Sequence, residues 1–464
     1  MATIGPLDAM FLMMEAREKP AHVGGLQLFE PPEGAPPDFL GRLYERAVHD
    51  PGEPRSLFLK RPYRPGGIGP WSWRPDEKFD IEYHVRHSAL PEPGRIRELL
   101  ALVSRLHGSL LDRNRPLWEA HLIEGVADGR FALYSKVHHA LVDGVSAMQL
   151  MRSSMSDDPD ERDMPLPWET RPAAPRGPRP QLSLADRLMA GVEMAADLPG
   201  MVAGASWAAL RSLVSSFREQ AAASPFRAPR TMLNVPITGA RRFAAQSWSL
   251  ERVRKAGAPH GATVNDMVLA MSAGALRQYL LEQDALPDTP LVAMVPVSLK
   301  ARIGEDQEGG NAVGAVLCNL GTHLADPVDR LELIMSSMSR AKKQFEGLTP
   351  IQILMLSSLS IAPAAVPVLG GSAVEMLGPV MRPAFNVVIS NVPGPREPLY
   401  FDGARLVGSY PVSVLVDGQA VNITTTSYAG SLDFGILGCR RNVPHLQRML
   451  VHLEDELAAI ESVA

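Results

Sequence analysis

Cysteine is nearly absent from this chain: its 464 residues contain only Cys318 and Cys439. Two thiols so far apart, with no CxxC and no His-Cys cluster around them, support neither a disulfide framework nor a zinc ribbon, and they suit a reducing compartment. An excess of basic charge is missing too. Lys and Arg number 46 against 51 Asp and Glu, a net charge of -5 with a pI near 6.2, which gives no reason to expect a nucleic-acid partner. The segment Met1 to Glu15 has Asp8 inside it and lacks the basic start and apolar core of a signal peptide, so a cytoplasmic protein is predicted. There is no G-x-S-x-G elbow to supply a nucleophilic serine, and no P-loop or other glycine-rich cradle for phosphate.

What is present is ordinary globular material. Hydrophobic residues make up 45% and charged residues 21%, and the length favours two or three domains over a single core. The first 155 residues read as mixed α/β: a strand over 22–29, an amphipathic helix over 95–111, two strands over 121–126 and 131–137 joined at Asp128-Gly129, and a helix after Gly144. From Ser156 to about Gln181 the chain turns acidic and then rich in Pro and Arg, a composition that predicts a linker. Leu184 to Phe217 is periodic enough for helices that bridge two halves. The expected division is therefore 1–155, a linker with crossover helices over 156–228, and 229–464.

In the second half, Thr263 and Asp266 make a capping-box start to a helix running to about Leu281, and a strand follows over 291–297. Segments 385–390, 405–415, 420–428 and 431–437 are β-rich, with turns at Asp417-Gly418 and Ala429-Gly430, and predict an antiparallel meander. A helix begun at Pro444 closes the chain, with Leu446, Leu450, Leu453, Leu457 and Ile460 on one face. One stretch is unusual. Ile351 to Val374 carries no charge over 24 residues, long enough to cross a bilayer, although Pro363, Pro367, Gly370 and Gly371 argue against a clean span. A buried helix pair and a lipid-facing surface are the other readings.

The most informative residues are His138-His139-Ala140-Leu141-Val142-Asp143-Gly144, at a strand end that leads into a helix. Imidazole takes and returns a proton near neutral pH, so a general base is the first expectation. Three rivals stand beside it. A strand-end histidine with Asp143 as a helix cap needs no function; His139 and Asp143 can both face one metal ion, though no further ligand cluster shows the spacing a metal requires; and a Ser-His-Asp triad lacks its elbow.

His-His-x-x-x-Asp-Gly after a strand resembles the active-site motif of acyltransferases that use coenzyme A thioesters, a superfamily including chloramphenicol acetyltransferase and the condensation domains of peptide synthetases. Further segments narrow the resemblance: Pro6-Leu7-Asp8-Ala9-Met10-Phe11, His22-Val23-Gly24, Pro116-Leu117-Trp118, Asn265-Asp266, Gly274-Ala275-Leu276-Arg277, Pro296-Val297-Ser298 and Ser390-Asn391-Val392-Pro393-Gly394-Pro395. In order, and over nearly the whole chain, they are similar to the bacterial wax ester synthase/diacylglycerol acyltransferase family.

The resemblance implies an α/β (α+β) fold of two chloramphenicol-acetyltransferase-like domains, each a mixed sheet flanked by helices, with an active-site tunnel between them. It implies attack of a lipid alcohol, either a fatty alcohol or a diacylglycerol, on acyl-CoA, which enters as substrate; no cofactor is expected. His139 matches the base and Asn265 is the candidate donor to the developing oxyanion. His138 and Asp143 are expected to support, Gly144 to allow close approach or positive φ, and Asp433-Phe434-Gly435 to be architectural. Pro116, Leu117, Trp118 and Asp266 are candidates for the tunnel wall, against core packing for Trp118 and helix capping for Asp266. Lys300 and Arg302 are available to phosphates or to solvent. Peripheral attachment to the inner membrane or to lipid droplets follows from the substrates. The alternatives are a condensation-type enzyme fed by a carrier protein and a catalytically idle lipid-binding or droplet protein.

Overall fold

The computed structural model describes residues 2–64, 66, 69–142, 144–170, 228–298, 313–343, 345 and 383–463. The 184–217 helices, the uncharged 351–374 run, Lys300, Arg302 and Asp143 lie outside the described residues.

In chain order the strands are β1 (Ala2–Thr3), β2 (His22–Glu30), β3 (Lys60–Tyr63), β4 (Ser72–Pro75), β5 (Val85–Ala89), β6 (Trp118–Glu124), β7 (Phe131–His138), β8 (Arg241–Ser249), β9 (Val292–Ser298), β10 (Val313–Asn319), β11 (Val387–Val392), β12 (Tyr400–Phe401), β13 (Ala404–Val412), β14 (Val421–Tyr428) and β15 (Ser431–Cys439). The helices are α1 (Pro6–Met14), α2 (Phe39–His49), α3 (Ile81–His84), α4 (Ile96–His107), α5 (Gly144–Arg152), α6 (Leu250–Gly257), α7 (Val264–Glu282), α8 (Pro327–Lys343) and α9 (Arg448–Ser462). Two six-stranded mixed sheets carry the architecture, in orders β12-β13-β2-β7-β6-β5 and β10-β9-β11-β14-β15-β8; β1, β4 and β3 form a third, small one.

The β6–β7 hairpin turns where the sequence places it, with Asp128 and Gly129 both at positive φ. The β14–β15 hairpin does the same at Ala429-Gly430, because a tight turn matching strand twist needs two left-handed residues. The capping box at α7 also forms: the Thr263 hydroxyl accepts the Asp266 amide while the Asp266 carboxylate accepts the Thr263 amide. Most of α7 is buried, as a helix apolar on all sides must be. Gly274 leaves room for Glu456, since a Cβ there would lie 2.2 Å from the carboxylate. Glu456 in turn pairs with Arg330 at 2.6 Å, and Arg277 donates to the Thr322 carbonyl.

The predicted antiparallel meander is corrected in its middle. β11 runs parallel to β14, and β13 is not between them. It pairs with β2 in the first sheet, from Arg405↔Glu30 to Val412↔Gly24. The alternation that marks a strand says which faces it offers, not which edge it joins. β13 passes close over β15, where a Cβ on Gly435 would sit 2.0 Å from the Pro411 carbonyl oxygen. Beside it the Asp433 carboxylate accepts the Ser409 amide at 2.7 Å and the Ser431 hydroxyl at 2.8 Å. Gly435→Ala is therefore expected to cost about 2 kcal/mol or more, as overpacking against unyielding backbone does. A urea midpoint equal to that of the parent would contradict this.

Residues 156–170, at the start of the segment read as a linker, pack on the first sheet. Ser156 bridges to Tyr400, and Met164, Leu166 and Trp168 are buried, the last two in a cluster with Phe29, Leu43, Phe58, Trp118 and Leu133. The acidic, Pro-containing composition hid three large apolar side chains spaced for burial.

Candidate active site

β7 ends at His138, where the chain leaves the sheet between two anchors. The His138 amide donates to the Leu117 carbonyl and the His139 amide to the Ala21 carbonyl, each at 2.9 Å. His138 is the register partner of His22 on β2, and α5 then starts at Gly144.

The two imidazoles face different surroundings. His138 is fully buried, and its Nδ1 accepts the Ala140 amide at 3.1 Å, so the proton of a neutral ring belongs on Nε2. That nitrogen faces Glu15 Oε1 at 3.5 Å. Glu15 also accepts the Ala21 amide at 3.1 Å and Arg113 Nε at 3.0 Å, while Arg113 donates to the Leu12 carbonyl at 2.5 Å. Burial would raise the Glu15 pKa, but the adjoining His138 imidazole, the Ala21 amide and Arg113 outweigh it and hold the carboxyl below its usual range. His139 is partly exposed, with Nδ1 shielded from solvent and the Phe11 ring stacked on it at 4.0 Å and 14°. Thus α1 supplies both the aromatic backing of one histidine and, just beyond its end, the carboxylate facing the other.

Beneath this corner lies a buried polar chain. His22 Nε2 bonds the His107 carbonyl at 2.8 Å, His107 Nδ1 meets the Tyr134 hydroxyl at 2.8 Å, and His107 Nε2 bonds the Ser413 carbonyl at 2.9 Å. Lys136, 1% exposed, donates to the Leu106 and Ser109 carbonyls and lies 3.2 Å from Glu119. Burial tends to raise Glu119, yet His121, Lys136 and Arg86 bring it down to about 2.

Loss of water on burial keeps His22 well below 6.5 and His107 at about 3. An unfolded chain takes up protons on these rings as pH falls below about 6.5, and the folded one does not. Stability is thus full above that value and is lost progressively as pH drops toward 3. By pH 5.5 His107 alone accounts for a loss of about 1 kcal/mol. Thermal midpoints at pH 7.5 and 5.5 are expected to show a clear fall, and a flat or rising midpoint would contradict it.

The remaining sequence candidates fall into distinct places. Leu117 is fully buried in a cluster with Ile4, Leu12, Leu111 and Ala140, against which Phe11 packs, so it lies under the His139 corner. Pro116 is buried beside it. Trp118 belongs to the other core cluster: its indole donates to the Phe58 carbonyl at 3.0 Å and stacks on His84 and Trp168. The Asp266 carboxylate is committed to Thr263. Asn265, half-buried on the first turn of α7, makes no side-chain hydrogen bond among the described residues. α5 reaches the second sheet through Met148, whose sulfur accepts the Thr426 hydroxyl at 3.6 Å. Among the described residues no group of three or more His, Cys, Asp or Glu is placed to hold a metal ion.

Sequence reasoning did not single out Glu15, Arg113, His107, Tyr134, Lys136 or Glu119. Phe11 and His22 belong to motif segments in which nothing local marks their roles. A lone acid after a short helix has no local signal, because its partners are 98 and 123 positions away.

Two family models match the chain: the wax ester synthase/diacylglycerol acyltransferase catalytic domain over residues 4–268, and the C-terminal domain of the same family over 309–461. A probable diacylglycerol O-acyltransferase of Mycobacterium tuberculosis is 52% identical over 458 residues, covering 98% of each chain. The O-acyltransferase WSD of Acinetobacter baylyi is 41% identical, covering 100% of this chain and 98% of its own. Among solved structures, the wax ester synthase/diacylglycerol acyltransferase of Marinobacter aquaeolei matches with a TM-score of 0.79 at 44% identity, over 100% of this chain and 99% of that one. The first condensation domain of the calcium-dependent antibiotic synthetase shares the fold, with a TM-score of 0.57 at 17% identity.

Proposed function

Since the chain belongs to the wax ester synthase/diacylglycerol acyltransferase family, we propose that it moves a fatty acyl group from acyl-CoA to a lipid alcohol, a diacylglycerol or a fatty alcohol. The observation that carries this reading is the pair of histidines at the end of β7: one sealed against Glu15, the other partly open and backed by Phe11.

A hydroxyl is too weak an acid to ionise at neutral pH, so its proton must leave as the carbon–oxygen bond forms. In this reading His139 Nε2 takes that proton, the alcohol oxygen attacks the thioester carbonyl, and the tetrahedral intermediate collapses with release of the thiolate, which receives the proton back from His139. The products are an ester and free coenzyme A. Asn265 donates to the oxyanion. His138 positions: its Nε2 toward Glu15 and its Nδ1 on the Ala140 amide fix the turn that aims His139. Glu15 and Arg113 hold that arrangement from behind. Asp143 and Gly144 shape the turn into α5. Pro116 and Leu117 support the wall beneath His139, while Trp118 serves the first-sheet core and Asp266 the cap of α7. Residues 1–155 then bring the base and 229–464 the oxyanion donor, with a tunnel between them and 156–228 joining them.

Acceptors of this kind reside in membranes and droplets, so peripheral attachment belongs to the same proposal; no helix among the described residues is long and apolar enough to cross a membrane. The test is thiol release from palmitoyl-CoA by purified protein, with hexadecanol and a diacylglycerol as separate acceptors. Release that depends on acceptor supports the reading. No release with free acyl-CoA and either acceptor overturns it.

A further inference from the structure

Away from the histidine corner, a cavity of about 340 Å³ opens between the end of β5, α4, the start of β8 and the residue after β15. Four arginines line it, Arg105, Arg241, Arg242 and Arg440, with Glu98 as the acid among the lining residues. Their commitments differ. Arg241 is buried and spends its guanidinium on the Thr238 and Glu18 carbonyls, so it forms a fixed wall. Glu98 is already held by Arg95 at 2.8 Å and Arg97 at 3.4 Å. Arg105, Arg242 and Arg440 make no side-chain hydrogen bond or ion pair among the described residues. Arg105 and Arg440 are exposed and Arg242 is half-buried, so three guanidinium groups without a protein partner among the described residues border one concavity and set a positive potential that attracts an anion.

We propose that this cavity binds the phosphate groups of a soluble phosphorylated ligand, namely the nucleotide end of the acyl-CoA substrate. The ligand's identity rests on the acyltransferase reading given above. Arginine forks match phosphate oxygens in pairs, and several forks converging from different elements suit a group with more than one negative charge better than a single carboxylate. The volume lies in the range of small-molecule sites, and a concave site suits a soluble ligand better than a flat lipid surface. The wall also connects to the reaction centre. Ser104 of α4 accepts the Phe243 amide of β8 at 2.9 Å, and one turn on, the His107 carbonyl holds His22, the register partner of His138. On the other side, Arg241 holds the Glu18 carbonyl, three residues from Glu15.

The test uses the full chain and adenosine 3′,5′-bisphosphate as the probe, by titration calorimetry, so it does not depend on turnover. The parent is expected to bind it, more weakly as salt is raised. The triple variant Arg105→Ala, Arg242→Ala, Arg440→Ala is expected to lose about tenfold or more in affinity, since charge-assisted bonds are lost. The corresponding triple lysine variant keeps the charge but not the paired donors, so it is expected to bind more weakly than the parent and more tightly than the alanine variant, an order that a folding artefact would not give. Probe affinity unchanged in the alanine variant, or no binding by the parent, overturns the proposal. Co-sedimentation with phosphatidylglycerol vesicles, with phosphatidylcholine as reference, forms the second arm. Loss of vesicle binding without loss of probe binding assigns the arginines to a lipid headgroup and overturns the soluble-ligand assignment. A parent that binds the probe yet releases no thiol with either acceptor refutes the acyltransfer reading and leaves the phosphate site standing.

Discussion

His139→Ala lowers the rate of thiol release by about 10²- to 10⁴-fold, the usual worth of a positioned general base. The loss is expected in kcat, with the KM for acyl-CoA changed much less, because the imidazole acts on the proton of the attacking hydroxyl and not on the coenzyme. The side chain is partly exposed, and the turn is anchored by the backbone amide of His139 on Ala21, which truncation leaves in place, so the fold should survive although Phe11 loses its stacking partner. Thiol release is the measurement, with far-UV circular dichroism to confirm the fold. A variant with the parent's turnover removes His139 from the chemistry, even if the protein remains an acyltransferase.

Asn265→Ala is expected to lower kcat by about 10²- to 10³-fold, the range found when one fixed oxyanion donor is removed. Two observations make the substitution clean. The amide has no side-chain hydrogen bond among the described residues, and the capping box is made by Thr263 and Asp266 without it. Asp266→Ala is the control: it should cost about 0.5–2 kcal/mol of stability through the lost cap, and much less turnover. If Asn265→Ala keeps full turnover while Asp266→Ala abolishes it, the donor is not Asn265.

The two substitutions separate roles that the histidine motif alone does not. His138 and His139 are adjacent, yet one is enclosed with Glu15 and Arg113 while the other carries an open face. Alternation along β7 puts consecutive side chains on opposite sides, which tells that they differ but not which side holds the carboxylate. Glu15 is legible only after α1 is packed beside β7. The same holds for Lys136, which reads as a polar interruption in an apolar strand and is in fact nearly sealed over Glu119, its cross-strand neighbour.

Local chemistry in the sequence by itself determined much of this protein: the strand ending at the histidine pair, the hairpin turns at Asp128-Gly129 and Ala429-Gly430, the capping box of α7 and the closing helix, which starts at Arg448 and not at Pro444, follow from neighbours a few residues apart. Motif order along the chain determined the family. Only the tertiary structure decided that β13 joins the first sheet, that residues 156–170 fill its core, that Glu15 and Arg113 stand behind His138, and that four arginines from three parts of the chain line one cavity. The physical reason is common to all four. Turns, caps and periodicity are set by steric and hydrogen-bonding rules between near neighbours, whereas edge choice and side-chain meetings between distant segments depend on how whole elements pack, and leave no mark at either position alone.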